Sequence, residues 1–278
     1  MKQRIATAAV GLAIFFAVLA LYNTILLNIS AAAVIFLALY EIFHVTGVWE
    51  NKTLSVVCML FGCTLPFLDV AQRGEWLVYY EAFFALALFA VLLLYHETLD
   101  YARVATAFAA TGIIGYTINI MVLFRETSEQ PAIGIYYTLL AFGLAWLTDT
   151  GAYLFGITMG KHKLAPKISP KKTVEGAVGG VAFCIACVLL LSVVYNWICG
   201  SLWGIHLDID YGLLLILAPV GSLISMLGDL SASLIKRQCG VKDYGSLMPG
   251  HGGIMDRFDS AFFTLSFLFL FIRLFPIV

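Results

Sequence analysis

The chain has 278 residues, 62% of them hydrophobic and only 12% charged, with a mean hydropathy of +0.95. A soluble domain is nearer half apolar and a quarter charged, so this balance excludes an ordinary soluble protein. The formal net charge of −1 conceals an uneven placement of basic residues along the chain.

Nine apolar blocks follow in chain order: residues 5–22, 25–43, 54–68, 77–95, 104–124, 132–157, 177–199, 211–235 and 258–277. Crossing a bilayer takes roughly 20 mostly apolar residues. The third block is short and the eighth contains Asp229. A transmembrane barrel would need alternating segments of about ten residues, which the sequence lacks. The expected fold is therefore all-α, a polytopic helical bundle of about nine transmembrane helices. With nine spans, Lys2, Arg4, Lys52, Arg103, Lys161, Lys163, Lys167, Lys171, Lys172, Lys236, Arg237, Lys242 and Arg257 share one side, and only Arg73, Arg125 and Arg273 the other. Basic residues favour the cytoplasm, which places the N-terminus inside.

The first block begins after Met1-Lys2-Gln3-Arg4 and runs from Ile5 to Tyr22. That exceeds the usual 7–15-residue core of a signal peptide, so a retained span is expected. The six cysteines suggest no disulfide framework, and Cys184-Ile-Ala-Cys187 lies in an apolar helix without nearby His or acid. Packing rather than metal or redox chemistry is expected there. Up to about residue 130 the acids and bases (Glu41, Glu50, Glu97, Asp100, Arg103) sit at span ends, Glu81 can snorkel, and no chemistry is assigned to any of them. The chain thus divides into an N-terminal transmembrane bundle, 1–130, and a polar-rich transmembrane region, 131–278. No internal repeat supports an inverted-repeat transporter.

Three polar constellations follow, all on the cytoplasmic side by the expected topology. The first, WLTDTGAYLFG over 146–156, carries Asp149, either a metal ligand or a lysine partner. The second, KHKLAPKISPKKTVEGAVGG over 161–180, has five lysines within twelve residues: Lys161, Lys163, Lys167, Lys171 and Lys172. Such a cluster beside a membrane can simply attract an anionic leaflet. Here Ser169-Pro170-Lys171-Lys172-Thr173 interrupts it with hydroxyls and a rigid turn, a combination suited to phosphate oxygens. Gly156 to His162 resembles a phosphate loop only loosely, with the wrong spacing and no preceding strand.

The third constellation occupies 228–259. Asp229, Ser233, Lys236 and Arg237, with Ser225 and Ser222 behind them, fall on one helical face. An acid in a bilayer core costs at least ~2.5 kcal/mol, so a full polar stripe points to function. Asp256 and Asp259 are spaced i, i+3 at the start of the ninth block. The modest reading is that they favour a helix N-terminus. Together with Asp229 they also suit a hard divalent cation that takes oxygen ligands and phosphate. Gly250, Gly252 and Gly253 allow backbone amides close to an anion.

Ser233-Leu-Ile-Lys236-Arg237, Lys242-Asp243, Pro249-Gly-His251-Gly-Gly253 and Asp256-Arg257-Phe-Asp259 closely resemble the signature of the phosphatidate cytidylyltransferases, or CDP-diacylglycerol synthases. Ser169-Pro-Lys-Lys-Thr-Val-Glu-Gly176 and Asp149-Thr-Gly-Ala-Tyr153 are similar to other polar segments of that family, with Val174 where an aromatic residue is common. The resemblance is dense over about 145–260. It implies that CTP and phosphatidic acid give CDP-diacylglycerol and pyrophosphate with magnesium, through one or two divalent cations and room for a monovalent one. It implies catalytic roles for Asp229, Lys236, Arg237, Lys242, His251 and Asp256. Substrate contacts would come from Ser169, Lys171, Lys172, Thr173, Ser233, Gly252, Gly253 and Arg257, and metal ligation from Asp229, Asp256, Asp259 and Asp149. Region 131–278 would then be the catalytic one. The expected partners are CTP, phosphatidic acid and the bilayer of a bacterial-type inner membrane, with no nucleic acid, and the resemblance suggests a homodimer.

Three rivals remain. A CTP-dependent lipid-alcohol kinase would use similar groups but attack the γ-phosphorus and release CDP. A transporter would line a pathway with its intramembrane acids, which leaves the one-sided Lys, Gly and His clusters without a role. A CDP-alcohol phosphotransferase would carry D-x-x-D-G-x-x-A-R, whereas Asp259 is followed by Ser260-Ala261.

Overall fold

The computed structural model describes residues 2–68, 70–248, 250 and 252–278, with side chains described outside 2–6 and 70–75. Among the described residues nine α-helices follow in order: α1 Lys2–Ala20, α2 Ile25–Val45, α3 Lys52–Thr64, α4 Val70–Leu94, α5 Tyr101–Thr127, α6 Pro131–Met159, α7 Val174–Trp203, α8 Tyr211–Gln238 and α9 Met255–Leu274. Each expected apolar block falls on one helix. Among the described residues six helical segments are long and apolar enough to cross a membrane: Ile25–Val45, Trp76–Leu94, Tyr101–Thr127, Pro131–Met159, Val174–Trp203 and Tyr211–Gln238. Thr7–Ala20 and Lys52–Phe67 are shorter apolar helices, and α9 opens with Asp256, Arg257 and Asp259. The protein is a polytopic helical membrane protein, and by this measure six of its described helices qualify as spans.

The fold is all-α as expected, with one short hairpin between α6 and α7. Residues Lys163–Ala165 (β1) and Ser169–Thr173 (β2) pair antiparallel, Lys163 opposite Thr173 and Ala165 opposite Ser169. Ser169-Pro170, expected to make a rigid turn, instead begins a strand; a two-stranded ribbon has only edges, where proline is tolerated.

Contacts gather the chain into two compact units, residues 1–126 with 239–257 and residues 127–238 with 258–278. In the first, Thr24 and Asn51 cap α2 and α3, their side-chain oxygens accepting the Leu26 and Leu54 amides at 3.2 and 3.0 Å. Arg125 on α5 donates to Asn28 Oδ1 at 2.8 Å and to the Thr24 carbonyl at 3.1 Å, tying α5 to α2. A Cβ at Gly62 would lie 2.9 Å from Leu39, so α3 and α2 approach at that point as only glycine permits.

In the second unit α6 and α7 run antiparallel along a seam of small residues. A Cβ at Gly176 would lie 2.7 Å from the Ala152 carbonyl, and one at Gly180 would lie 2.9 Å from the Thr148 carbonyl. Helices in lipid lack a hydrophobic drive to associate, so close backbone approach supplies the dispersion contact. At the far end of this pair the Tyr136 hydroxyl donates to Ser192 Oγ and that of Tyr195 to the Ala132 carbonyl, both at 2.7 Å. Helix α8 joins where Thr148 Oγ1 donates to Ser222 Oγ at 2.8 Å. Helix α9 packs on Gly228, where a Cβ would lie 2.7 Å from the Phe263 ring.

Candidate active site

In the second unit, four elements bring acids and lysines together. Asp229 on α8 forms an ion pair with Lys172 on β2. One turn later Ser233 Oγ lies 3.5 Å from Asp229 Oδ1, a long contact oriented for donation. Lys236 Nζ, a further turn on, lies 3.9 Å from Asp259 Oδ2 on α9, and both side chains are about nine-tenths buried. Ser260 Oγ donates to Asp149 Oδ2 on α6 at 3.3 Å, while its amide donates to Asp259 Oδ1 at 2.8 Å. Asp229 and Asp149 both act electrostatically on Asp259. The small-residue seam and the Thr148–Ser222 bond hold α6, α7 and α8 together beside this cluster. Of the expected stripe, Ser222 accepts from Thr148, whereas Ser225 is fully buried and its Oγ has no hydrogen-bond partner among the described residues. Arg237 is exposed.

The hairpin separates residues that look alike in sequence. Successive strand residues face opposite ways, and Lys172 is partly buried against Asp229 while Lys171 is exposed. Thr173 ends the strand and caps α7, its Oγ1 accepting the Gly176 amide at 3.1 Å. Its hydroxyl, expected to face substrate, thus serves a helix end. Glu175 in the next turn closes the hairpin: it accepts the amides of Lys161 and His162 at 3.0 and 3.1 Å, and His162 Nδ1 lies 2.5 Å from Oε1. Ser169 opens β2.

In the first unit, the segment before α9 folds around two carboxylates. Asp256 is 8% exposed, and its Oδ2 accepts the amides of Tyr244 and Gly253 at 2.8 and 3.0 Å. The anion met by the Gly253 amide is therefore the chain's own Asp256. Gly252 has φ +83°, a left-handed turn that brings the chain back under this carboxylate. Lys242 and Arg257 are exposed, and His251 lies outside the described residues. Glu41, to which the sequence reading gave no chemistry, is buried here at 5% exposure. Its Oε1 accepts the Ile254 amide at 3.0 Å and its Oε2 the Met255 amide at 2.8 Å.

The donor chemistry in the second unit suits a hard divalent cation: Asp149, Asp229 and Asp259 supply carboxylate oxygen, on helix positions held by packing. Among the described residues no set of three His, Cys, Asp or Glu side chains forms a ready metal cage. Magnesium does not require one, since it usually takes one or two carboxylates together with water and substrate phosphates. A cavity of about 410 Å³ opens elsewhere in this unit, lined by Ile133, Glu129, His206, Asp208 and Arg273. Along α6, Ile133 is about 24 Å from Asp149 at 1.5 Å per residue, so this cavity lies apart from the carboxylate cluster.

The family model described as the cytidylyltransferase family matches residues 2–275. A phosphatidate cytidylyltransferase of Staphylococcus saprophyticus is 37% identical over 271 residues, covering 96% of this chain and 97% of that protein. Those of Staphylococcus haemolyticus and Staphylococcus aureus are 35% and 37% identical over the same coverage.

Proposed function

The chain belongs to the cytidylyltransferase family, and from that premise we propose that it catalyses the phosphatidate cytidylyltransferase reaction: CTP and phosphatidic acid give CDP-diacylglycerol and pyrophosphate. The observation that carries this reading is the cluster at the ends of β2, α6, α8 and α9, where Lys172 meets Asp229 and Lys236 meets Asp259. Lysines beside carboxylates can bind phosphate and divalent cation side by side.

The lipid phosphate is a monoester with a second pKa of about 6, so at neutral pH it is already a nucleophile and needs no strong base. One of its oxygens attacks the α-phosphorus of CTP in line. The new P–O bond forms as the α–β bridging bond breaks, and its electron pair leaves with pyrophosphate. The chain's task is to position two polyanions and offset their repulsion. Lys172 and Lys236, with Lys171 and Arg237, would carry the compensating positive charge, and Ser233 would donate a hydrogen bond. Asp149, Asp229 and Asp259 would hold magnesium, which when bound neutralises charge developing on phosphate oxygen. Asp256, His251 and Arg257 enter this reading through the motif they occupy.

The further proposal is a nine-span topology with a cytoplasmic N-terminus and a site facing the cytoplasm of a bacterial-type inner membrane. It is supported by the one-sided placement of basic residues. Asp229→Asn and Asp256→Asn are each expected to remove turnover while the far-ultraviolet circular dichroism of the purified protein stays unchanged. Near-normal turnover in either variant would take that residue out of the site.

A further inference from the structure

Glu41 poses a question that the reaction leaves open. It lies near the C-terminal end of α2, an apolar helix of membrane-spanning length, and is buried there, where a carboxylate without partners is costly. Its two oxygens grip consecutive backbone amides, those of Ile254 and Met255, from a position 213 and 214 residues earlier in the chain. The first amides of a helix have no partner within it, and they form the positive end of its dipole. Glu41 satisfies two of them at the start of α9, and Asp256 satisfies the preceding one through Gly253. Three successive amides, 253 to 255, therefore end on two carboxylates.

The glycines around Glu41 fit the same design. A Cβ at Gly245 or Gly253 would collide with the Glu41 carboxyl group. Both positions are open because a carboxylate fills the space. Glu41 also lies within electrostatic range of Asp256. Two like charges are tolerated there because fixed amide dipoles face each of them.

We infer that Glu41 is a positioning residue: it clamps the turn from Gly252 to Asp256 and so fixes the direction in which the Asp256 carboxylate is presented. This rests on the reaction reading for the role of Asp256, while the clamp itself stands on geometry alone. The effect on chemistry would be indirect, since Glu41 holds backbone and touches no substrate. Glutamine keeps the size and one acceptor oxygen but turns an N–H toward the second amide, so it opens half of the clamp.

The test compares wild type, Glu41→Gln, Glu41→Leu and Gly245→Ala in detergent, using hydrogen–deuterium exchange and steady-state kinetics with CTP and phosphatidic acid. In Glu41→Gln, exchange across 253–256 is expected to accelerate about ten- to a hundredfold, the loss of one charge-assisted bond. Exchange in α6 to α8 should stay unchanged. The kcat is expected to fall at least about tenfold, the scale of a misplaced reacting group, with KM for both substrates within about threefold. Gly245→Ala, which pushes on Glu41 without removing it, should show the same kinetic split more weakly. Glu41→Leu should be the most severe, and if it does not fold the other two variants still decide. Unchanged exchange at 253–256 would overturn the clamp, and faster exchange with intact kcat would overturn the positioning role. So would kcat and KM worsening together with a general loss of thermal stability. If wild type forms no CDP-diacylglycerol the reaction reading fails instead, and the exchange measurement still decides whether Glu41 holds the turn.

Discussion

In the first unit Glu41 and Asp256 are held by backbone amides. In the second, Asp229 and Asp259 are held by the ammonium groups of Lys172 and Lys236. Both arrangements make an acid among apolar helices tolerable, but they differ in what can replace the partner. An amide is fixed to the chain and cannot leave without breaking the turn. A lysine sits on a flexible stem and can pass from a carboxylate to a phosphate as a cation takes its place. The amide-held acids therefore fix the loop that presents Asp256, whereas the lysine-held acids form a site that can exchange partners.

The comparison breaks most directly at Asp229. Asp229→Asn is expected to lower kcat/KM about a thousandfold, at the upper end of what one electrostatic contact supplies. Its thermal stability should change little, because the pair with Lys172 retains access to solvent. An equal loss of stability and activity would place Asp229 with the structural acids. Lys236→Met should cost about a hundredfold in activity and raise KM for CTP. It should also destabilise the protein, because Asp259 would remain buried without its ammonium partner. Thermal unfolding and CTP titration of the same preparation separate the two effects.

Two smaller perturbations sharpen the contrast. Gly180→Val places a side chain where even a Cβ would lie 2.9 Å from the Thr148 carbonyl. It is expected to destabilise the second unit by about 1–3 kcal/mol, seen as a lower unfolding midpoint. Lys171→Ala removes an exposed charge on the other side of β2 from Lys172. Its effect on kcat/KM should stay within about fivefold and should shrink as salt is added. If Lys171→Ala matched Lys236→Met, the distinction drawn from strand geometry would fail.

The helices were legible in the sequence because long apolar runs in lipid leave the backbone no other way to satisfy itself. The acids of α8 and α9 stood out because a carboxylate beside apolar residues demands a partner, although Lys172 and Lys236, which meet Asp229 and Asp259, lie far from them in sequence. Three features were hidden. The hairpin over 163–173 reads as a lysine-rich loop, since its pairing depends on backbone groups and its strands are too short for a clear alternation. Asp256, Arg257 and Asp259 fall within the first five residues of α9, where a count of apolar runs does not register the start of the helix. Glu41 looked like a span-end acid because its partners are amides more than 200 residues away, and an amide leaves no mark in residue identity. The closest available signal was an acid flanked by Tyr40 and Ile42 with no Lys or Arg within a helical turn, His44 being the one basic side chain near it.

The reaction itself is tested most directly by following phosphorus. Purified wild-type protein is incubated with magnesium, phosphatidic acid and CTP labelled at either the α- or the γ-phosphorus. The account requires α-label in the lipid product and γ-label in pyrophosphate. Transfer of γ-label to lipid with release of CDP would contradict it and identify a kinase.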